Sequence, residues 1–441
     1  MLDILRIKDF RNLWIGQAIS RIGDAFYFLG PMFVIKKVFN DDAMVGAVGA
    51  VEALPYLLFG TIGGAIADRI DRKKIMIWSD LLSAVFLLVY LGFLMSVGSQ
   101  LPKWIFFVVG FSLAFVRVFF FPAKNAAIPR LVPAEKLFSA NALSAATDQF
   151  MWLIGNVLMV VLGMLADRIG VIQFLKVLVL VNAVTFLFSV YFLYLLPGIE
   201  ILRSEHHEEK HLFTDVKEGI AYAKRDRVIG LSLLASFGLG LFMSPFFVVY
   251  LATNMAWFGN HASPLAFIET CFIIGMLSMS FIIPRLKVKK AGMAYGLGLT
   301  IAGICVLFMG FSPIYGMYCL WNLVCGFAIG GVDVPMRTYQ MLKVPDEYRG
   351  RIMSLGQLIW MSVQPIGMSL GGPLLGWLGI VKMHVLMGAG FATTGAAPLL
   401  DKEFREATIP DQPSPSEDVE FVPTNLSEYP LGALETETEP V

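Results

Sequence analysis

The chain has 441 residues, 57% of them hydrophobic, and a mean hydropathy of +0.70, against about half apolar and a quarter charged in soluble domains. Its 34 basic and 34 acidic residues cancel, so the net charge is zero and no nucleic-acid partner is expected. A soluble globular domain is excluded, and runs such as FFVVGFSLAFV (Phe106 to Val116), which do not alternate, exclude a membrane β-barrel.

A helix needs about 20 apolar residues to cross the hydrocarbon core. Twelve such stretches are expected, at 12–36, 44–67, 75–98, 103–127, 141–166, 171–196, 228–254, 264–286, 291–311, 314–340, 352–377 and 383–400. The first follows the charged stretch MLDILRIKDFRNLW without a small-residue cleavage site, which reads as an uncleaved helix rather than a signal peptide. Between the sixth and seventh lies a polar segment, 197–227, whose later part spaces Phe213, Val216, Ile220 and Ala223 as an amphipathic helix on the membrane surface. This divides the chain into an N-terminal half (1–196), a central loop (197–227), a C-terminal half (228–400) and a Glu/Pro/Ser/Thr-rich tail (401–441), expected to be disordered.

Basic residues concentrate in the loops at 1–11, 69–74, 124–136, 203–227, 285–290, 343–351 and 402–405. The positive-inside rule puts those loops and both termini in the cytoplasm, which requires an even number of spans. The four cysteines, Cys271, Cys305, Cys319 and Cys325, fall in apolar runs and read as buried small hydrophobes. His206, His207 and His211 lie in the central loop, so no metal site or cofactor is expected.

An internal repeat is visible. FPAKNAAIPRLVPAEKLFSANAL (Phe121 to Leu143) and VPMRTYQMLKVPDEYRGRIMSL (Val334 to Leu355) stand six spans apart. Each has a proline near a helix end and then a V-P turn. Equivalent loops on one side mean two parallel six-helix halves.

Six of the seven residues from Asp68 to Lys74 are charged, in the loop GGAIADRIDRKKIM between the second and third spans. Its pattern G-x-x-x-D-R-x-x-R-K, with the two halves and the long central loop, resembles the major facilitator superfamily over residues 1 to about 400. FRNLWIGQAISRIGDAF, FFFPAKNAAIPRLVP and VPDEYRGRIMSL are similar to its macrolide-efflux and enterobactin-exporter group. The resemblance implies an all-α transporter with a gate on the cytoplasmic side. In it Gly64 allows close packing, Asp68 faces the start of the eleventh helix, Arg69 and Arg72 pair with acidic partners, and Lys73 belongs to the same gate motif. Asp71 stands where the family pattern commonly has Gly. A loop that only fixes topology is the competing reading. The Gly-Pro export signature of the fifth helix is replaced here by Gly155-Asn156, so direction does not follow from it.

Ionisable residues inside a span are functional candidates by default. Asp24 and Arg117, on the first and fourth spans, are expected to pair across helices, with snorkelling of Arg117 as the alternative. Glu52 and Glu269 lie in opposite halves. With Asp24 and Arg117 they are the proton-coupling candidates, because a desolvated carboxyl loads and releases protons nearer neutral pH. Asp80 is expected to pair with Arg69 or Arg72, and Asp333 with Arg337, at the cytoplasmic gate. Phe26, Tyr27, Trp152, Phe242, Met243, Phe246, Trp321 and Trp360 are candidates to line a cavity for amphipathic substrates.

These features point to a proton-coupled secondary transporter, expected as a monomer in the cell membrane and exporting amphipathic organic molecules. An uptake symporter or facilitator is the alternative. The chain contains no G-x-x-x-x-G-K-[ST] loop for ATP, and an enzyme is not expected.

Overall fold

The computed structural model describes residues 2–67, 69–97, 100–199, 212–259, 261–286 and 288–409. In chain order the helices are α1 (Lys8–Phe39), α2 (Asp42–Ala67), α3 (Arg72–Val97), α4 (Trp104–Leu131), α5 (Leu137–Ile169), α6 (Val171–Tyr194), α7 (Leu212–Arg225), α8 (Arg227–Met243) and α9 (Phe246–Trp257). They continue as α10 (Ala262–Ile282), α11 (Ala291–Gly310), α12 (Tyr315–Gly330), α13 (Asp333–Lys343), α14 (Asp346–Leu399) and α15 (Lys402–Glu406). Among the described residues, eleven helical stretches are long and apolar enough to cross a membrane. The last, 348–399, is two spans: at Gly379 the backbone takes φ 76°, ψ 171°, a conformation that a side chain disfavours and glycine accepts. With that break the twelve expected spans are present.

Gly170 has φ 85° and joins α5 to α6 in one residue, as Gly379 joins the two arms of α14 six spans later. The first half packs internally through α1 with α5 and α6, α3 with α4 and α6, and α2 with α4, and the second through α10 with α12, α8 with α14, and α11 with α12 and α14. Between them the main contacts are α2 with α14 and α5 with α10. Counting by spans these are 2 with 11 and 5 with 8, and adding six converts one into the other. The parallel repeat is therefore visible in packing as well as sequence.

Local chemistry explains several boundaries. Asp71 caps α3, its carboxylate accepting from the Lys73 N–H at 2.9 Å. An acidic side chain at that position satisfies an otherwise orphaned helix N–H. This is the physical role of the residue that departs from the family pattern, and no left-handed backbone is needed there. Asp226 and Asp401 cap α8 and α15 in the same way, at 3.0 Å to Ile229 N–H and Phe404 N–H.

Three expectations change. The stretch 124–136, read as a basic loop from Lys124, Arg130 and Lys136, is helical to Leu131, α4 containing both Pro122 and Pro129. The amphipathic helix α7 buries Gly219 and packs Val216, Tyr222 and Ala223 on the second half. Glu218 meets Arg351 at 2.8 Å, and Tyr222 stacks on Tyr348 at 5.0 Å. Val216 and Ala223 of the expected apolar face are thus covered by protein, whereas Ile220 is exposed and the side chain of Phe213 lies outside the described residues. The tail was expected to be disordered from 401, yet 401–409 is docked: Phe404 is fully buried, Arg227 pairs with Asp401, and Ala291 N–H donates to the Ala407 carbonyl at 2.9 Å. The four cysteines are free and buried.

Candidate functional site

The two halves enclose a cavity of about 690 Å³. α1 contributes Asp24, Tyr27 and Phe28; α2 Glu52, Ala53 and Tyr56; α4 Gly110, Leu113 and Arg117. From the second half come Met243 on α8, Phe246, Phe247 and Tyr250 on α9, Glu269 on α10, and Trp360, Gln364 and Met368 on α14. The seventh span breaks at Ser244-Pro245, where proline removes an N–H from the helical ladder, and both flanking turns face the cavity.

Asp24, Arg117, Glu52 and Glu269, singled out from the sequence, all line this space. The Arg117 guanidinium donates to Asp24 Oδ1, pairing the first and fourth spans. Arg21 approaches Asp24 at 3.7 Å and Asp148 at 3.4 Å, and Asp148 accepts from Lys124 Nζ at 3.2 Å. Buried ions are retained only with partners, and this network on α1, α4 and α5 supplies them. Gly110 has no Cβ where one would sit 2.9 Å from the Glu52 side chain, so α4 makes room for that carboxyl. Glu52 and Glu269 differ from Asp24 in having no hydrogen bond or ion pair among the described residues. Glu269 is held in place through its neighbour: Tyr250 OH donates to Asn322 Oδ1 at 2.5 Å, and Asn322 Nδ2 donates to the Ile268 carbonyl at 2.6 Å.

Of the aromatic and Met candidates, Tyr27, Met243, Phe246 and Trp360 line the cavity. Trp152, Phe242 and Trp321 do not. Trp152 sits 5.7 Å from Phe28 and beneath the Arg21 guanidinium, Phe242 packs on Phe391 and Gly390, and Trp321 stacks on Phe308 at 5.0 Å. The side chain of Phe26 lies outside the described residues. Phe28, Tyr56, Phe247, Tyr250, Gln364 and Met368 were missed; only Gln364, a polar residue before Pro365 in an apolar run, carries a sequence signal.

The gate motif is dispersed. Asp68 lies outside the described residues, as does the side chain of Asp333; Arg337 is exposed on α13. Arg69 is exposed and Arg72 buried, with Arg72 Nε and Nη1 unpartnered among the described residues. Lys73 donates to the Leu196 carbonyl and lies over Tyr194 at 5.4 Å. Asp80 was expected to pair with Arg69 or Arg72. Instead it lies two turns deeper, in a small pocket with Arg117, Asp24 and Arg21. His206, His207 and His211 lie outside the described residues.

The halves are closed at the face opposite the motif. There a Cβ on Gly46 would overlap the Met368 carbonyl, and one on Gly372 would lie 2.5 Å from Ala43 Cα. Lys36 meets Asp42 at 2.6 Å, and Asp167 meets His261 at 2.7 Å across the halves. Lys103, hydrogen-bonded to Asp41 at 2.9 Å, holds that carboxyl below the usual carboxylate range. Toward the motif face the packing ends: Cβ atoms on Gly60 and Gly64 would meet nothing within 4 Å among the described residues. Among the described residues Gly64 therefore makes no close helix contact in this conformation.

The Macrolide efflux protein A of Streptococcus pyogenes is 25% identical over 388 residues, covering 86% of this chain and 92% of its own. The protein of that name from Enterococcus faecalis is 26% identical over 336 residues, covering 74% and 99%. Among solved structures, the nucleoside transporter NupG matches with a TM-score of 0.65 at 13% identity, covering 88% of this chain and 97% of that one. A bacterial homolog of the human lysosomal transporter Spinster, described as inward-facing and unoccupied, matches at 0.64 and 13% identity, covering 92% and 98%. These structures share the fold. The sequence pattern of the Major Facilitator Superfamily matches residues 13–368, and the chain belongs to that family of membrane transporters.

Proposed function

We propose that this transporter is a proton-coupled exporter of amphipathic small organic molecules, working by alternating access in the cell membrane with both termini cytoplasmic. The observation that carries the reading is the placement of Asp24, Glu52 and Glu269 on one cavity between the two halves, with Arg117 bound to the first. A carboxylate paired with a guanidinium is an exchangeable site: protonation breaks the ion pair, and loss of the proton restores it. Glu52 and Glu269, unpartnered and set among Tyr27, Tyr56, Phe247, Tyr250 and Trp360, suit a molecule with an apolar body and a basic amine, which aromatic faces also attract. The export direction draws support from the relatives named for macrolide efflux.

In this conformation the halves meet opposite the motif, so the cavity communicates with the face where the basic loops place the cytoplasm. Substrate would enter there. Rocking the halves apart at the closed face requires breaking the Asp167–His261 contact and separating α2 from α14. Protons loaded on the far side would drive the return.

A compound panel in cells lacking other efflux pumps tests direction. Expression is expected to lower sensitivity to amphipathic amines; greater accumulation of those compounds would favour the uptake alternative. Purified protein adds the coupling test: binding a panel hit in weak buffer is expected to release protons, and release is lost in Asp24→Asn. Binding without proton release removes the coupling.

A further inference from the structure

Behind the Asp24–Arg117 pair is a carboxylate that this reading does not use. Asp80 on α3 is 3% exposed, and its Oδ2 has no hydrogen-bond partner among the described residues. It shares a pocket of about 20 Å³ with Asp24, Arg117 and Arg21, lined also by Ser79 and Ser83. Asp24 and Arg117 line both that pocket and the large cavity, whereas Asp80 lines the pocket alone.

The charges facing this group can be named helix by helix. α1 presents Arg21 and Asp24, α4 presents Arg117 and, one turn beyond Phe120, Lys124, and α5 presents Asp148. Glu52 on α2 lines the cavity that Arg117 also lines. α6, which packs on α3, presents the buried Ser189, and its one charged residue is Lys176. Arg21, Arg117 and Lys124 are three cations, while Asp24 and Asp148 are two anions. An ionised Asp80 balances the cluster, yet it is the member without a contact to any of the cations within 4 Å.

We infer that Asp80 is the alternate counter-ion of Arg117. When a hydronium ion in the cavity gives its proton to Asp24, an O–H bond forms on that carboxyl, one breaks on the hydronium, and water is left. The guanidinium then moves from Asp24 to Asp80, so its charge is not left without a partner when Asp24 becomes neutral. Loss of the proton reverses the exchange. Asp80 touches neither substrate nor cavity; it is a positioning residue that lets Asp24 be loaded. The inference rests on the reading of Asp24 as the proton carrier.

The test is an infrared titration of the full chain in nanodiscs, following the carboxylic-acid C=O band that disappears in Asp24→Asn. In Asp80→Asn, filling that band is expected to need about tenfold more acid, a shift of one pH unit, and Asp80→Glu is expected to restore the midpoint. A midpoint unchanged in Asp80→Asn overturns the inference and leaves Asp24 as carrier. If that variant does not fold, the unmutated protein decides. The acid step that protonates Asp24 must also shift the carboxylate stretch of a second aspartate as it takes up the guanidinium, and a spectrum without that shift overturns the proposal. If no Asp24 band titrates at all, the carrier reading fails and this inference with it.

Discussion

Replacing Gly372 by valine should force open the face that this conformation holds shut. On α14, Gly372 lies against Asp42 and Ala43 at the start of α2, where a Cβ would overlap the Asp42 carbonyl oxygen and lie 2.5 Å from Ala43 Cα. Both obstacles are backbone, so no rotamer change relieves them. Overpacking of this kind costs about 1 to 3 kcal/mol, borne only by the conformation in which α2 and α14 touch. The equilibrium should therefore move about 5- to 150-fold toward the opposite-open state. Spin labels at Gln100→Cys and Ile314→Cys, both exposed, would report this by double electron–electron resonance, since the native cysteines are buried. A longer distance population should grow in Gly372→Val. An unchanged distribution, with the protein folded, would refute the claim that these glycines form the closed gate.

Other outcomes follow from the same geometry. Glu269→Gln should weaken binding of basic amines by about tenfold while leaving neutral ligands of similar size unaffected, measured by fluorescence titration; equal losses for both would remove the carboxylate from recognition. Phe404→Ala should destabilise the docked 401–409 segment by about 3 to 5 kcal/mol. Faster hydrogen exchange at 289–292 would show it, and unchanged exchange would mean the segment is held otherwise. Lys103→Ala should change thermal stability by no more than about 1 kcal/mol, because the Asp41 pair is partly exposed. Since the folded Asp41 carboxyl titrates below its ordinary value, that contribution is present above about pH 3.9 and disappears as the pH falls further. A deficit in Lys103→Ala that persists unchanged under acid would contradict the assignment.

The span count, the parallel halves and the intramembrane charges were legible because the membrane makes such signals categorical. A 20-residue apolar run or a buried arginine has few explanations. Arg117 was traced to Asp24 because each needed a partner and the two spans share a cavity wall. What stayed hidden depended on helix rotation. These spans are apolar all round, so no periodic stripe separates the cavity face from the lipid face; Trp152, Phe242 and Trp321 were indistinguishable in sequence from Phe28, Tyr56 and Phe247. Asp80 was misplaced by nearness in sequence to a basic loop, although two helical turns, about 12 Å of rise, separate it from Arg72. Lys124 looked like a loop residue because it groups with Arg130 and Lys136 after a proline, Pro122, near a helix end. The α4 helix runs through both Pro122 and Pro129, which membrane helices accept when neighbouring groups satisfy the freed backbone.

The most direct test of proton-coupled export is substrate flux in proteoliposomes under an imposed pH gradient. With the protein oriented by its tail, acidifying the face opposite the motif loop should drive substrate from the motif face toward the acid. Collapsing the gradient with a protonophore, or replacing Asp24 by asparagine, should abolish that accumulation. Uphill transport that persists without the gradient, or that proceeds unchanged in Asp24→Asn, would contradict the account.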